Sequence, residues 1–400
     1  MRPKIELLYI DAGGGHKASA IALSEAIRRQ GRPWDVRLVC VQDLFGSFDP
    51  IRRLTGVPFH DVYNIMLRRG WTLGAARLIP VMHAIIRSLH GAQVRALQRH
   101  WASSRPDMVV SLMPHFNRAF KRALESACPA APLVTVLTDI ADYPPHFWIE
   151  RQEQYLVCGS DRAVAQALAQ GHSPVRIFRA SGMVLHPRFY EPIRLDRRAE
   201  RLRLGLDPDR LTALALFGGE GSMDLVRVAR ALENSGLPTQ LILLCGRHDE
   251  AARQVRNLGG RMPMLVEGFT KQVPYYMALA DYFIGKPGPG SISEALAMRL
   301  PVIVEKNAWT LAHERYNADW MVERGTGMAL DSFAQLPRAV EELLQPDRYR
   351  VYKEATERIR NFAVFEIPEM LEQILAESRF AEIPAFAELS SEPAAVTPAA

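Results

Sequence analysis

Cysteine is scarce in this sequence: four in 400 residues, Cys40, Cys128, Cys158 and Cys245, with no CxxC pair among them. That spacing excludes a disulfide framework and a cysteine zinc site. At least three of the four sit in short apolar runs that read as strands, so buried thiols in a reducing compartment are expected. No window of about 18 apolar residues is free of an arginine or a breaker, which excludes a membrane-spanning helix. The chain enters a strand by Ile5, leaving no room for a signal peptide, and a cytoplasmic protein is expected. The eleven histidines have no metal-ligand spacing, and His313-Glu314 lacks the second histidine of HExxH. Asp207-Pro-Asp209 resembles a DxD metal motif, but its proline makes it a solvated turn. The spacing GxxxxGK[ST] is also missing, so a P-loop hydrolase is not indicated.

What is present is an ordinary globular composition, 48% hydrophobic and 23% charged, over a length that suggests two domains. The net charge is +5, unevenly spread. Residues 1–100 hold 15 Lys and Arg against 7 Asp and Glu, so the remainder of the chain is slightly acidic. A basic end implies an anionic partner: nucleic acid, a phosphorylated ligand or an anionic membrane.

Strand-like runs alternate with helical patterns through both halves, the signature of parallel sheets covered on both faces. In the first half the strands are Ile5 to Ile10, Val36 to Val41, Met108 to Leu112, Leu133 to Leu137 and Tyr155 to Cys158. The series restarts with Thr212 to Phe217, Gln240 to Cys245, Met264 to Val266, Asp281 to Ile284 and Pro301 to Val304. Two Rossmann-like α/β domains facing a cleft are expected, at 1–188 and 204–345. Between them 189–203 reads as a linker leading into a short helix. Helices at 346–380 follow, and the Ala-, Pro- and Glu-rich tail 381–400 reads as disordered.

Three glycine-rich turns follow strands and open helices, where backbone N–H groups and the positive end of the helix dipole gather. The first, Asp11-Ala-Gly-Gly-Gly-His-Lys-Ala18, satisfies the dinucleotide spacing GxGxxA at Gly13, Gly15 and Ala18. The acid that should follow about 20 residues on has only the distant Asp43 as a match. The distinctive residue is His16, at a helix N-terminus, where the dipole favours a neutral, proton-accepting imidazole. A histidine there can equally be a simple cap. In the second half Gly218-Gly-Glu-Gly-Ser222 and Lys286-Pro-Gly-Pro-Gly-Ser291 each follow a strand. Two such turns in one domain suggest a nucleotide at the carboxyl edge of its sheet. Glu294, one turn into the following helix, can accept two hydrogen bonds from ribose hydroxyls or simply favour the helix N-terminus.

These blocks together resemble the lipid-directed glycosyltransferases of family 28. That group contains monogalactosyldiacylglycerol synthases and processive diacylglycerol glucosyltransferases, with the peptidoglycan lipid-II N-acetylglucosaminyltransferase more distant. The resemblance runs from about Ile5 to Gly327, through GGGHKASA, VVSLMPH, VTVLTDIADYPPHFW, LLCGRHDE, VEGFTKQVPYYMALAD, KPGPGSISEALAMRLPVIV and HERYNADWMVERGTG. It implies a GT-B fold, an acceptor on the N-terminal domain, a UDP-sugar on the C-terminal one, inversion at the anomeric carbon and no bound metal or other cofactor. By the same resemblance Gly13, Gly14 and Gly15 form the acceptor loop with His115 of the second block, and His16 is the essential histidine. The phosphate loops are Gly219, Glu220, Gly221 and Ser222, and Gly288, Pro289, Gly290 and Ser291. Glu294 is the ribose ligand, and uracil stacks near Gly246, Arg247, Gly268 and Phe269. The sugar-contacting block is His313, Glu314 and Asn317, with His313 where the family has glutamine.

Transfer with inversion needs a base for the acceptor proton and donors for the departing diphosphate. His16 is the first candidate for base or acceptor positioning, with Asp139 second, either orienting an imidazole or capping a helix. Residues 51–100 carry eight arginines and one acid, Asp61, interleaved with aromatic and aliphatic residues. That pattern describes an interfacial helix lying in anionic headgroups, or an ordinary amphipathic helix with a basic face. No nucleic-acid motif accompanies the charge. The expectation is a peripheral enzyme on the inner face of the cell membrane, moving galactose or glucose from a UDP-sugar to diacylglycerol or a related lipid. The alternatives are transfer of N-acetylglucosamine to a polyprenyl or other lipid, and an NAD(P)-dependent dehydrogenase.

Overall fold

The computed structural model describes residues 2–11, 14–46 and 75–381. Gly13, the larger part of the basic stretch and the tail from 382 therefore lie outside the described residues.

The N-terminal sheet contains β1 (Lys4–Tyr9), β2 (Asp35–Cys40), β3 (Met108–Ser111), β4 (Leu133–Val136), β5 (Tyr155–Cys158) and β6 (Ile177–Arg179). Its order is β2-β1-β3-β4-β5-β6 and every pairing is parallel. Parallel strands need crossovers, and buried faces need cover. On one face lies α1 (Gly15–Arg29), whose small buried residues Ala20, Ala22 and Ala26 let it lie close to the strands. On the other lie α4 (His90–Ser104), preceded by α3 (Ala75–Ser88), and α5 (Asn117–Ala127), which share a core with Leu8 and Val109. The short α2 (Val41–Phe45) follows β2 and α6 (Asp161–Ala169) follows β5.

The C-terminal sheet holds β7 (Leu211–Leu216), β8 (Thr239–Leu244), β9 (Met264–Glu267), β10 (Tyr282–Gly285), β11 (Val302–Glu305) and β12 (Gly327–Leu330). Its order β12-β11-β10-β7-β8-β9 is again all parallel and corresponds to the doubly wound dinucleotide-fold order. Helices α8 (Asp224–Ser235) and α9 (Asp249–Arg256) cover one face. Helices α10 (Val273–Leu279), α11 (Pro289–Ala297) and α12 (Arg315–Glu323) cover the other.

The connections differ from the sequence expectation in a way that buried charge explains. The short helix expected at the end of the linker is α7 (Arg197–Arg203), and it is fixed to the C-terminal domain rather than free between the two. Arg201 is buried and donates to Asp281 Oδ2 at 2.6 Å and to the Leu279, Pro208 and Arg210 carbonyls. Full pairing of this kind is what a buried guanidinium requires. The chain later crosses back. After α13 (Leu336–Leu343), α14 (Pro346–Arg358) stays on the C-terminal domain, where Arg299 donates to the Thr356, Glu357 and Ile359 carbonyls. Helix α15 (Ala363–Ala381) then buries Val364, Ile367, Leu371 and Ile374 against Ile5, Leu7 and Leu23 of the N-terminal core.

Two of the four cysteines, Cys158 and Cys245, are buried, whereas Cys40 at the end of β2 and Cys128 at the end of α5 are only half-buried, since both stand where an element meets the surface. Asp207 and Asp209 form the expected turn, paired with Arg210 and Arg198. Among the described residues no helix is long and apolar enough to cross a membrane.

Candidate active site

In open α/β sheets a ligand crevice forms at the carboxyl edge where strand order reverses. In the N-terminal sheet that point lies between β1 and β3, and in the C-terminal sheet between β7 and β10. The loops leaving these four strands carry most of the candidates.

After β1, Gly14 takes φ +79° as the N-cap of α1, and Gly15 and His16 begin the helix. Only glycine adopts that dihedral without penalty. The imidazole Nδ1 lies 3.1 Å from Thr138 Oγ1, and the ring lies 5.8 Å from the Trp148 indole. Burial, reinforced by the charge of His313, pushes the His16 pKa down to about 4, so the ring is neutral at physiological pH. After β3, His115 adopts φ +73°, a conformation that costs a non-glycine residue about 1–3 kcal/mol. Its backbone N–H donates to the Phe147 carbonyl at 2.6 Å, and its Nδ1 lies 3.0 Å from His83 Nε2 on α3. Burial and His83 hold His115 well below the ordinary imidazole range.

Asp139 follows β4 and neither caps a helix nor holds an imidazole, which corrects both expectations for it. Its Oδ2 accepts the Trp148 indole N–H at 2.7 Å, because Trp148 is fully buried and its N–H must find an acceptor. Thr138 is the residue that meets the imidazole. Burial raises the Asp139 pKa, while the nearby His313 acts in the opposite direction.

The C-terminal edge is built from backbone. Gly218 and Gly221 after β7, and Gly246 after β8, take φ of +79°, +74° and +59°. The two loops interlock: a Cβ on Gly221 would stand 2.1 Å from the Cys245 carbonyl oxygen, and one on Gly246 would stand 2.4 Å from that of Gly219. Arg247 donates to Glu220 at 2.8 Å and lies 4.3 Å over the ring of Phe269, which follows Gly268. Phe269 is 52% exposed, a flat apolar surface held open beside the loops. The Ser222 hydroxyl oxygen accepts the Asp224 N–H at 3.1 Å, just before α8.

After β10, Gly288 is the N-cap of α11, with Pro289 at its first position and Gly290 and Ser291 completing the turn. This arrangement aims unpaired N–H groups and the helix dipole outward. The Glu294 carboxyl makes no hydrogen bond among the described residues, and burial pushes its pKa up to about 7. Glu314, buried, accepts Lys286 Nζ at 2.9 Å; burial acts to raise its pKa, but Lys286 and His313 outweigh that and hold it below the usual range. Asn317 donates to the Pro287 carbonyl at 2.9 Å and keeps a buried Oδ1 without a partner.

The two edges meet. The Phe147 and His313 rings, one from each domain, lie 5.1 Å apart at 30°. Every candidate within the described residues therefore lies at one of two facing carboxyl edges. Phe147, Trp148, Thr138, His83 and Lys286 belong to this constellation but were not singled out from the sequence. Thr138, Phe147 and Trp148 all lie within the matched block VTVLTDIADYPPHFW, which was the available signal. Among the described residues, no three His, Cys, Asp or Glu side chains are grouped so as to hold a metal ion. The dehydrogenase alternative also lacks its acid: Gln42 stands just past the end of β2, accepting the Asp11 N–H at 2.9 Å, and α2 begins at once.

The model of the glycosyltransferase family 28 C-terminal domain matches residues 214–373. The probable monogalactosyldiacylglycerol synthase 2, chloroplastic, of Oryza sativa subsp. japonica is 30% identical over 83% of this chain and 71% of its own length. The monogalactosyldiacylglycerol synthase, chloroplastic, of Spinacia oleracea is 28% identical over 94% and 73%. Among solved structures, the UDP complex of S. aureus MnaA matches with TM-score 0.60 at 14% identity, over 94% of this chain and 97% of that one. Acinetobacter baumannii MurG matches with TM-score 0.57 at 13% identity, over 93% and 100%. At such identities the structures speak for the GT-B fold alone. The sequence relatives and the family 28 domain go further: the chain belongs to the monogalactosyldiacylglycerol synthase family and is a glycosyltransferase.

Proposed function

We propose that this enzyme moves a hexose, galactose or glucose, from its UDP-sugar to the hydroxyl of diacylglycerol or a related lipid, with inversion and without a resident metal. The observation that carries the reading is the pairing of edges: a neutral imidazole on one domain faces glycine-built, anion-seeking loops on the other.

The chemistry follows from the parts. The acceptor hydroxyl oxygen forms a bond to the anomeric carbon while the bond from that carbon to the β-phosphate oxygen breaks, and UDP departs. His16 takes the hydroxyl proton or positions the hydroxyl, with Asp139 as the second candidate. A diphosphate entering the cleft brings negative charge that offsets burial and raises the His16 pKa toward neutrality, improving it as a base. Charge developing on the leaving diphosphate is met by N–H groups of the loops at Gly219–Ser222 and Gly288–Ser291. Glu294 accepts from the ribose hydroxyls, and Phe269 with Arg247 offers uracil a stacking face. The hexose hydroxyls then meet His313, Glu314 and the free acceptor of Asn317.

Because the acyl chains of the acceptor stay in the bilayer, only its headgroup reaches the cleft, and the enzyme needs a surface that docks. We assign that role to residues 51–100, on the cytoplasmic face of the cell membrane. Within α3, Val81 and Ile85 are exposed and Arg87 lies in the last turn, in keeping with an interfacial helix.

Mass analysis of lipid products formed from diacylglycerol vesicles with UDP-galactose, UDP-glucose and UDP-N-acetylglucosamine in turn tests the reading. A hexosyl-diacylglycerol product is expected. An N-acetylhexosaminyl product alone would move the assignment to that donor, and no lipid product with any donor would overturn it. Flotation with neutral and anionic vesicles tests the docking surface; equal binding to both would contradict it.

A further inference from the structure

A cavity of about 180 Å³ lies at the interdomain junction, lined from both domains by residues other than those of the glycine-rich loops. Four arginines line it, Arg179, Arg324, Arg358 and Arg360, of which all but Arg324 are exposed, and no acidic residue does. Arg179 is engaged with Asp161, outside the lining, and Arg324 lies 4.3 Å over the Trp320 ring. The guanidinium groups of Arg358 and Arg360 make no hydrogen bond or ion pair with any described residue. Two further polar groups are left over. Trp320 Nε1 is buried without a partner. Ser293, only 6% exposed, lines the cavity, and its hydroxyl makes no hydrogen bond among the described residues. A buried N–H such as that of Trp320 is rarely left without a partner. Four arginines with N–H and O–H donors and no carboxylate suit a phosphate-type dianion.

The position of the cavity gives it consequences. One wall is N-terminal domain, where Gly159 and Gly182 let the backbone pack closely: a Cβ on Gly182 would stand 2.6 Å from Asn361 Cγ. The other wall is α11, through Ser293, and α12, through Trp320 and Arg324. These two helices also carry Glu294 and Asn317. The segment that closes the cavity, Arg358–Asn361, is where the chain crosses from α14 back to α15.

We propose that this cavity is a second, regulatory anion site, which takes inorganic phosphate or a small soluble phosphomonoester and thereby fixes the donor-site helices against the N-terminal domain. An anion held by both domains stabilises their joined arrangement over any separated one, and whatever else prefers that arrangement binds more tightly in its presence. The site is separate from the diphosphate loops, so it stands or falls independently of the reaction assigned above.

The test uses inorganic phosphate at constant ionic strength, balanced with chloride, on the full chain. Thermal unfolding and UDP calorimetry are followed for the wild type, for Arg358→Ala/Arg360→Ala, and for Arg348→Ala/Arg350→Ala. The last pair removes the same charge from α14 at positions that do not line the cavity. Phosphate is expected to raise the Tm of the wild type and to strengthen UDP binding about 5-fold or more. The Arg358/Arg360 variant should lose both effects, keeping only the weakening of UDP that comes from phosphate competing at the diphosphate loops. The Arg348/Arg350 variant should respond as the wild type does. An identical phosphate response in the wild type and the Arg358/Arg360 variant overturns the proposal, as does an equal loss in the two double variants. If UDP failed to bind at all, the Tm comparison would still decide the phosphate site.

Discussion

The two domains share one construction, a six-stranded parallel sheet with its crevice at a strand-order reversal, yet they equip that crevice in opposite ways. The N-terminal edge presents side chains: His16 on Thr138, His115 on His83, and Asp139 on Trp148. The C-terminal edge presents backbone, with Gly218, Gly221 and Gly246 in the left-handed region and Gly288 opening a helix. The difference matches the chemistry that the proposed function asks of each edge. Moving a proton requires a titratable group with a tuned pKa, which only a side chain supplies. Holding a diphosphate requires several convergent donors that never compete for the proton, and main-chain N–H groups supply those. The charge asymmetry has the same logic. A domain that binds its anion through backbone has no need of a basic surplus, and the surplus is in the first hundred residues.

This division of labour can be broken from either side. The largest effect is expected on the N-terminal side: His16→Ala should lower kcat by about 10²–10⁴-fold, the usual contribution of a positioned acid or base. Steady-state transfer into diacylglycerol vesicles measures it, and a variant keeping most of its rate removes His16 from the mechanism. On the C-terminal side, Gly246→Ala forces a Cβ into the Gly219 carbonyl and a strained φ, costing about 1–3 kcal/mol. Calorimetry should show UDP affinity weakened about 10- to 100-fold, and an unchanged affinity would mean that the interlocked loops do not shape the site.

Glu294→Gln sharpens the comparison through pH. Burial pushes the Glu294 carboxyl up to about 7, so its ionised fraction, which in the proposed role is the form that accepts ribose hydroxyls best, grows as pH rises from 6 to 8. UDP affinity of the wild type should rise across that window, while Glu294→Gln should bind about 10-fold more weakly with a flat profile. Equal slopes would place the titrating group elsewhere. Phe147→Ala tests the contact between the edges. Loss of one aromatic pair of about 0.5–1.5 kcal/mol should raise the donor KM a few-fold with little change in UDP affinity, and Phe147→Tyr should restore it.

Most of the sheet framework was legible because buried parallel strands are continuous apolar runs with glycine-rich exits. Two strands escaped. β6 has three residues, and β12, Gly-Met-Ala-Leu, opens on glycine and sits at a sheet edge, so neither carries enough apolar length to be noticed. The short helix α7 is legible at the end of the linker, but its docking is not: its charged sequence hides one arginine that is buried against Asp281, and composition does not reveal which arginine turns inward. In the site, the glycine loops and His16 were legible from local spacing. The partners were not: Thr138 meets His16, and Phe147 meets His313, only after two domains are built and apposed. Asp139 shows the same limit, since its carboxylate goes to an indole, an acceptor requirement that no spacing encodes.

The central claim is that proton handling and UDP binding sit on different domains, and the most direct test is UDP calorimetry on His16→Ala. The account predicts a Kd within about twofold of the wild type, less than 0.5 kcal/mol, in the variant whose transfer has collapsed. A Kd weakened tenfold or more would place His16 in the donor site and contradict the division.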